Sequence, residues 1–256
     1  MKQQKFGPLP LPVLTVGGGL LGFALRLVML KTGYDQQGVQ LPGNWAYTAL
    51  WILSALVLGG LVYLCLHMGT RATYTENFGP SPVAGTCAMV SGLLFFVNRL
   101  MAVLSTGDVF DIAMAALGIA GAMCLCVLGA LRWKGTAWLS MSMVVTLALA
   151  GDLIARFRHW STDPMLGDYC FQLLASLFSM LAAFHLGGFI LDKGRRRTSL
   201  FCSMAAVFFS MISLADGGAE NLLRSIAMIL WLLTGCCSLN KPARPRRRPG
   251  GSREEA

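Results

Sequence analysis

Within the apolar run Thr136 to Arg158, Asp152 and Arg156 stand four residues apart, an acid and a base one helical turn from each other. A charge near the middle of a bilayer costs roughly 2.5 to 3.5 kcal/mol on an isolated helix, so each of the two needs a partner. Their spacing puts them on one side of a helix, where they can serve each other. Arg26, Arg99, Asp111 and Arg224 are similar outposts in other apolar runs, and Asn98, Asp108, Asp168 and Gln172 lie at comparable positions. By default such intramembrane polar residues mark a substrate or ion site. The competing reading is structural: arginine and aspartate pair to hold helices together, or snorkel to the nearer interface. Because a buried ion pair gains little net stability over apolar packing, a functional reason for keeping these charges stays credible.

Other chemistry is poorly represented. Asp108-x-x-Asp111 has the form of a metal-diphosphate ligand pair, but one such pair is common, and its side of the membrane is away from cytosolic nucleotides. His67, His159 and His185 fall in different loops and at different depths. All eight cysteines, Cys65, Cys87, Cys124, Cys126, Cys170, Cys202, Cys236 and Cys237, lie in or at the ends of apolar runs, and read as small packing residues. The CxC and CC pairs lack the spacing of a structural zinc site. Walker loop, HExxH, GxSxG and paired CxxC motifs are missing from the sequence, so no metal, cofactor or catalytic group is expected.

The elements that carry these residues follow from composition. Hydrophobic residues make up 55% of the 256, charged residues 13%, and the mean hydropathy is +0.61, the profile of an integral membrane protein. A span needs about 20 apolar residues. Runs of that kind are expected at Leu11 to Leu30, Trp45 to Met68, Pro82 to Leu104, Asp108 to Leu131, Thr136 to Arg158, Met165 to Leu191, Ser199 to Ala215 and Asn221 to Leu239. The first run holds Arg26 and lacks a small-x-small cleavage site, so it reads as a retained span. Asn44 and Ser81 are positioned to cap the second and third runs. The polar outposts share faces with small residues: Gly18, Gly22 and Arg26 fall at steps of four, Gly85, Ala88, Gly92 and Arg99 lie near one stripe, and Asp111 heads a stripe through Ala115, Gly118, Ala122, Cys126 and Gly129. Small residues let helices approach closely, so the charges are expected to face the bundle. A faint echo between Arg26…Asp35 and Arg99…Asp108 is compatible with a duplicated hairpin.

The expected fold is therefore all-α: a polytopic membrane bundle of about eight transmembrane helices in four antiparallel hairpins. Residues 1–240 form it, and 241–256 make a disordered basic cytoplasmic tail. With the termini and even-numbered loops in the cytoplasm, 15 of the 21 basic residues and four of the 12 acids lie inside, +11 there against −2 outside. That is the positive-inside pattern, and it removes the need for nucleic acid as a partner of a +9 chain. Partners expected are the lipid bilayer, anionic lipid at Lys193, Arg195, Arg196, Arg197 and the tail, and a small-molecule ligand. The expected location is a prokaryotic cytoplasmic membrane. The leading functional expectation is a small permease-like or solute-binding protein, with an outward-facing Arg/Asp pocket for a small anionic or zwitterionic ligand. The rival is a non-transporting scaffold or sensor whose tail, with Arg244 to Arg248, recruits a partner or lipid. An enzyme comes third.

Overall fold

The computed structural model describes residues 10–33, 44–69, 72–105, 108–161 and 169–239. In chain order these form α1 (Pro10–Thr32), α2 (Trp45–Leu66), the short α3 (Tyr74–Asn77), α4 (Pro82–Ser105), α5 (Val109–Trp133), α6 (Leu139–Trp160), α7 (Cys170–Ile190), α8 (Arg196–Ser213) and α9 (Ala219–Cys237). Among the described residues eight helices, all but α3, are long and apolar enough to cross a membrane, and the all-helical fold is that of a multi-pass membrane protein. Among the described residues strand-like pairing is limited to an isolated antiparallel bridge between Phe78 and Leu239.

Helix starts follow local chemistry. The Asn44 side chain accepts from Ala46 N at 2.9 Å, and Ser81 Oγ accepts from Ala84 N at 3.3 Å with Pro82 as the first helical residue. Asp108 caps α5 in the same way, accepting from Phe110 N at 3.4 Å. Several boundaries differ from the sequence expectation by two or three residues, among them the start of α6 at Leu139 rather than Thr136. Helix α8 begins at Arg196 rather than Ser199, winding part of the basic run into its first turn. Helix α3 interrupts the expected loop from Arg71 to Pro80, a single turn too short to leave a hydrophobic period. The expected entry of the sixth span at Met165 lies outside the described residues, as do Asp35 of the internal echo and the tail 241–256.

Helix α8 is the axis of the packing. Of its most apolar stretch 72% is buried, against 28 to 39% in the other seven spans, and Met204 through Phe208 are buried consecutively. A helix apolar all round belongs inside a bundle. It packs on α1, α2, α7 and α9, while α9 packs on α4, α4 on α5, α5 on α6 and α6 on α7. The helices α4 to α9 thus close a ring, and α1 and α2 lean against α8 from outside. One apolar core lies between α1, α2, α7 and α8, including Leu50, Leu61, Phe171 and Phe208; a second fills the ring with Phe95, Leu125, Leu149, Ala183 and Met228. Leu20, Leu56, Leu93, Leu147 and Phe184 face outward, as lipid contact requires.

Glycine brings α4 and α5 to backbone contact. A Cβ placed on Gly129 would lie 2.8 Å from the Gly85 carbonyl oxygen and 2.9 Å from Met89 N. The Cys126 thiol, on the same face, donates to Met89 O at 3.6 Å. Gly129→Ala must push the two backbones apart, and is expected to cost about 1 to 3 kcal/mol, read as a lower melting temperature in detergent. An unchanged melt would show that the helices part freely.

The ends of the bundle differ in character. At one end Arg197 Nε donates to Met68 O at 2.9 Å, Gly194 N to Ala72 O at 3.1 Å, and Arg132 Nη2 to Ser238 Oγ at 2.9 Å, so the segments after α2, α5, α7 and α9 meet there. The C-terminal parts of α1, α4, α6 and α8 and the N-terminal parts of α7 and α9 carry the polar residues of the other end.

Candidate functional site

Asp152 sits on α6 next to Gly151, 1% exposed, with its carboxylate turned into the ring. Three guanidinium groups converge on it. Arg99 Nη1 from α4 lies 2.6 Å from Oδ1, Arg224 Nε from α9 lies 2.9 Å from Oδ2, and Arg156 Nε, one turn along α6, lies 3.2 Å from Oδ1. One acid therefore ties three helices of the ring together, and carries an excess of two positive charges beside it. The side chains are 2% exposed at Arg224, 7% at Arg99 and 13% at Arg156, so Arg156 is the accessible member of a closed site.

Neutral groups hold each guanidinium in place. Arg99 donates through Nε and Nη2 to Asn98 Oδ1 at 3.0 and 2.6 Å and lies over the Phe95 ring, and Asn98 Nδ2 donates to Glu220 O at 2.7 Å. The Arg224 Nη2 donates to Ser176 Oγ, whose own hydroxyl donates to Gln172 O at 2.8 Å. Arg156 lies over Trp160, which stacks on Tyr169 with ring centroids 4.5 Å apart. Gly118 on α5 makes room for the arginine: a Cβ there would fall 2.8 Å from Arg99 Cγ. Gly118→Ala is expected to shift Arg99 off Asp152 and lower stability by about 1 to 3 kcal/mol. A paired melt of Gly118→Ala with and without Arg99→Ala tests this, because the glycine's effect disappears once the Arg99 Cγ and Cδ are removed.

A second, charge-balanced pair adjoins the first. Arg26 Nε on α1 lies 2.7 Å from Asp216 Oδ1, and Gln172 Nε2 donates to Asp216 Oδ2 at 2.9 Å. Asp216 ends the 3₁₀ turn Leu214–Asp216 that continues α8, and Gly217 and Gly218 follow with φ of 70° and 77°. These left-handed angles favour glycine, and they reverse the chain so that Asn221 on α9 donates to Ser213 O and Ser225 meets Ser213 Oγ at 2.9 Å. Gln172 and Ser176, one turn apart on α7, link the two pairs.

Of the residues singled out from sequence, the structure brings Asn98, Arg99, Asp152, Arg156 and Arg224 into one cluster, with Arg26 and Gln172 in the adjoining pair. Asp108 lies apart, pairing with Arg158 at 3.1 Å where both are about half exposed. Asp111 is partly exposed in the first turn of α5, and Asp168 falls outside the described residues. Asp216 and Ser176 belong to the network and were not among the expected site residues. Asp216 reads in the sequence as the start of a glycine turn, and its reach back to α1, 190 residues away, leaves no local signal. Among the described residues no group of three or more His, Cys, Asp or Glu is arranged to hold a metal. Comparison with family models, curated proteins and solved structures finds no match, so the reading of this site rests on its own geometry.

Proposed function

We propose that this multi-pass membrane protein binds a small anionic or zwitterionic solute at the Arg99, Arg156 and Arg224 cluster, as a permease or solute-binding protein whose site opens to the outer face. The observation that carries the reading is three buried guanidinium groups around one carboxylate. A purely structural pairing needs one cation per acid, as Arg26 and Asp216 illustrate beside it. The extra pair of charges is expensive to bury, and an anionic ligand would offset that expense. Guanidinium groups bind carboxylate and phosphate through parallel N–H bonds, which fits either class of anion. The antiparallel hairpins, the cytoplasmic termini and the outward position of the cluster complete this reading, and they are supported by the sorting of basic loops. The test is a thermal-shift panel of chloride, sulfate, phosphate, succinate and glutamate on the purified chain at constant ionic strength. A rise in melting temperature confined to one anion class supports the site. Equal, small shifts for all, reproduced by Arg156→Gln, would sink it.

Sidedness has its own check. Ala219→Cys at the exposed first residue of α9 and Ser252→Cys in the tail, each in a chain whose native cysteines are replaced and labelled in intact cells with a membrane-impermeant maleimide, are expected to react from opposite compartments. Reaction of the tail but not of Ala219→Cys would reverse the placement of the cluster, and reaction of both from one side would mean that α9 does not cross and would remove the sidedness with it.

A further inference from the structure

At the basic end, away from the arginine cluster, two cavities of about 60 Å³ each lie inside the ring of helices. They share the walls Phe78, Leu186, Trp231 and Gly235. The first has a polar end at Arg196, Ser199 and Ser203 and an apolar remainder including Phe189, Leu200 and Leu232. The second runs from Arg132 and Tyr74 to Ala84, Ala88 and Leu128. Both arginines are buried, at 2% exposure for Arg196 and 8% for Arg132. Among the described residues the partners of Arg132 are neutral: Tyr74 Oη at 3.2 Å, Ser238 Oγ at 2.9 Å and the Phe78 ring at 4.4 Å. The bridge to Leu239 and the edge contact with Phe189 seat Phe78 across the shared wall.

A cationic group in the lining of each apolar-walled cavity is the complement of a molecule with an acid head and a hydrocarbon body. We infer that these two neighbouring cavities, which share walls, form a second binding site, for an anionic amphiphile whose carboxylate or phosphate meets Arg132 or Arg196 while its chain lies against Trp231 and Leu186. The site is independent of the arginine cluster around Asp152. It takes either a membrane lipid or a free amphiphilic acid, since the two share that chemistry. It differs from surface attraction of lipid to Lys193, Arg195 and Arg197, because its walls are interior.

Trp231 borders both cavities, so bromine-labelled decanoate bound there would quench its fluorescence. Titration of the full chain in an uncharged detergent is expected to give saturable quenching that Trp231→Phe removes. Gly235 supplies a variant that fills the space without strain, because a Cβ there meets nothing within 4 Å. Gly235→Leu is expected to melt no lower than the parent and to lose the saturable quenching, and Arg132→Gln to weaken it tenfold or more. Decyl phosphate should compete and decanol should not. Displacement by phosphatidylglycerol but not phosphatidylcholine would identify a lipid as the source, and displacement by decyl phosphate alone a free acid. Quenching that is linear, that persists in Gly235→Leu, or that decanol displaces as well as decyl phosphate does would overturn the inference.

Discussion

Asp152→Asn is expected to destabilise the protein by about 3 to 5 kcal/mol, because it leaves Arg99, Arg156 and Arg224 buried without an acid between them. The shape of the side chain is unchanged, so packing is not the cause. Each guanidinium keeps neutral partners, Asn98 for Arg99 and Ser176 for Arg224, and these do not offset the mutual repulsion of three cations. The measurement is the melting temperature in detergent, together with the monodisperse fraction after purification. Two further outcomes are specific to electrostatics. The double variant Asp152→Asn, Arg224→Gln is expected to recover part of the loss, giving a coupling energy that additive packing defects would not. Sulfate should raise the melt of Asp152→Asn more than that of the parent, because the variant holds three unbalanced charges where the parent holds two. An Asp152→Asn protein that melts like the parent at low salt would mean the three arginines draw their support from elsewhere.

Much of this arrangement is legible in the chain, for a physical reason. Length and hydropathy decide which segments can cross a membrane, so the eight spans are visible to within a few residues at their ends, and Asn44 and Ser81 mark the starts of two of them through short-range hydrogen bonds. The Asp152 and Arg156 pair is also local, since a spacing of four fixes it on one helix face. The convergence of Arg99 and Arg224 on that same acid is not local. It depends on α4, α6 and α9 closing one ring, which hydropathy does not encode because every span is apolar on its lipid side as well as inside. Asp216 was hidden for the same reason, and its partner Arg26 showed only that it shared a face with Gly18 and Gly22. Asp108 is the converse case. Its position near the membrane edge resembles that of the clustered residues, but as the cap of α5 it turns toward Arg158 and water. The centrality of α8 left the clearest missed trace: Ala205, Ala206 and Ser203 beside Phe208 and Phe209 make a helix with no polar face to give to solvent and no purely aliphatic face to give to lipid.

Arg156→Gln separates a ligand site from a structural knot. Of the three guanidinium groups it is the most exposed, and Asp152 keeps Arg99 and Arg224 when it is gone. Removing it also relieves repulsion from two neighbouring cations, so stability is expected to stay within about 1 kcal/mol of the parent. A bound anion would lose a charge-assisted hydrogen bond worth about 1.5 to 3 kcal/mol, a roughly 10- to 150-fold weaker affinity. Trp160 and Tyr169, stacked above Arg156, stand where such a ligand would enter, and Trp160→Ala should speed both binding and release while changing affinity less than Arg156→Gln does. Titration calorimetry with the anion that stabilises the parent measures the first effect, and stopped-flow Trp fluorescence the second. If Arg156→Gln instead melts well below the parent and binds every anion as the parent does, the arginines serve to hold helices together. The excess charge would then be balanced by the aqueous face near Arg156 rather than by a solute.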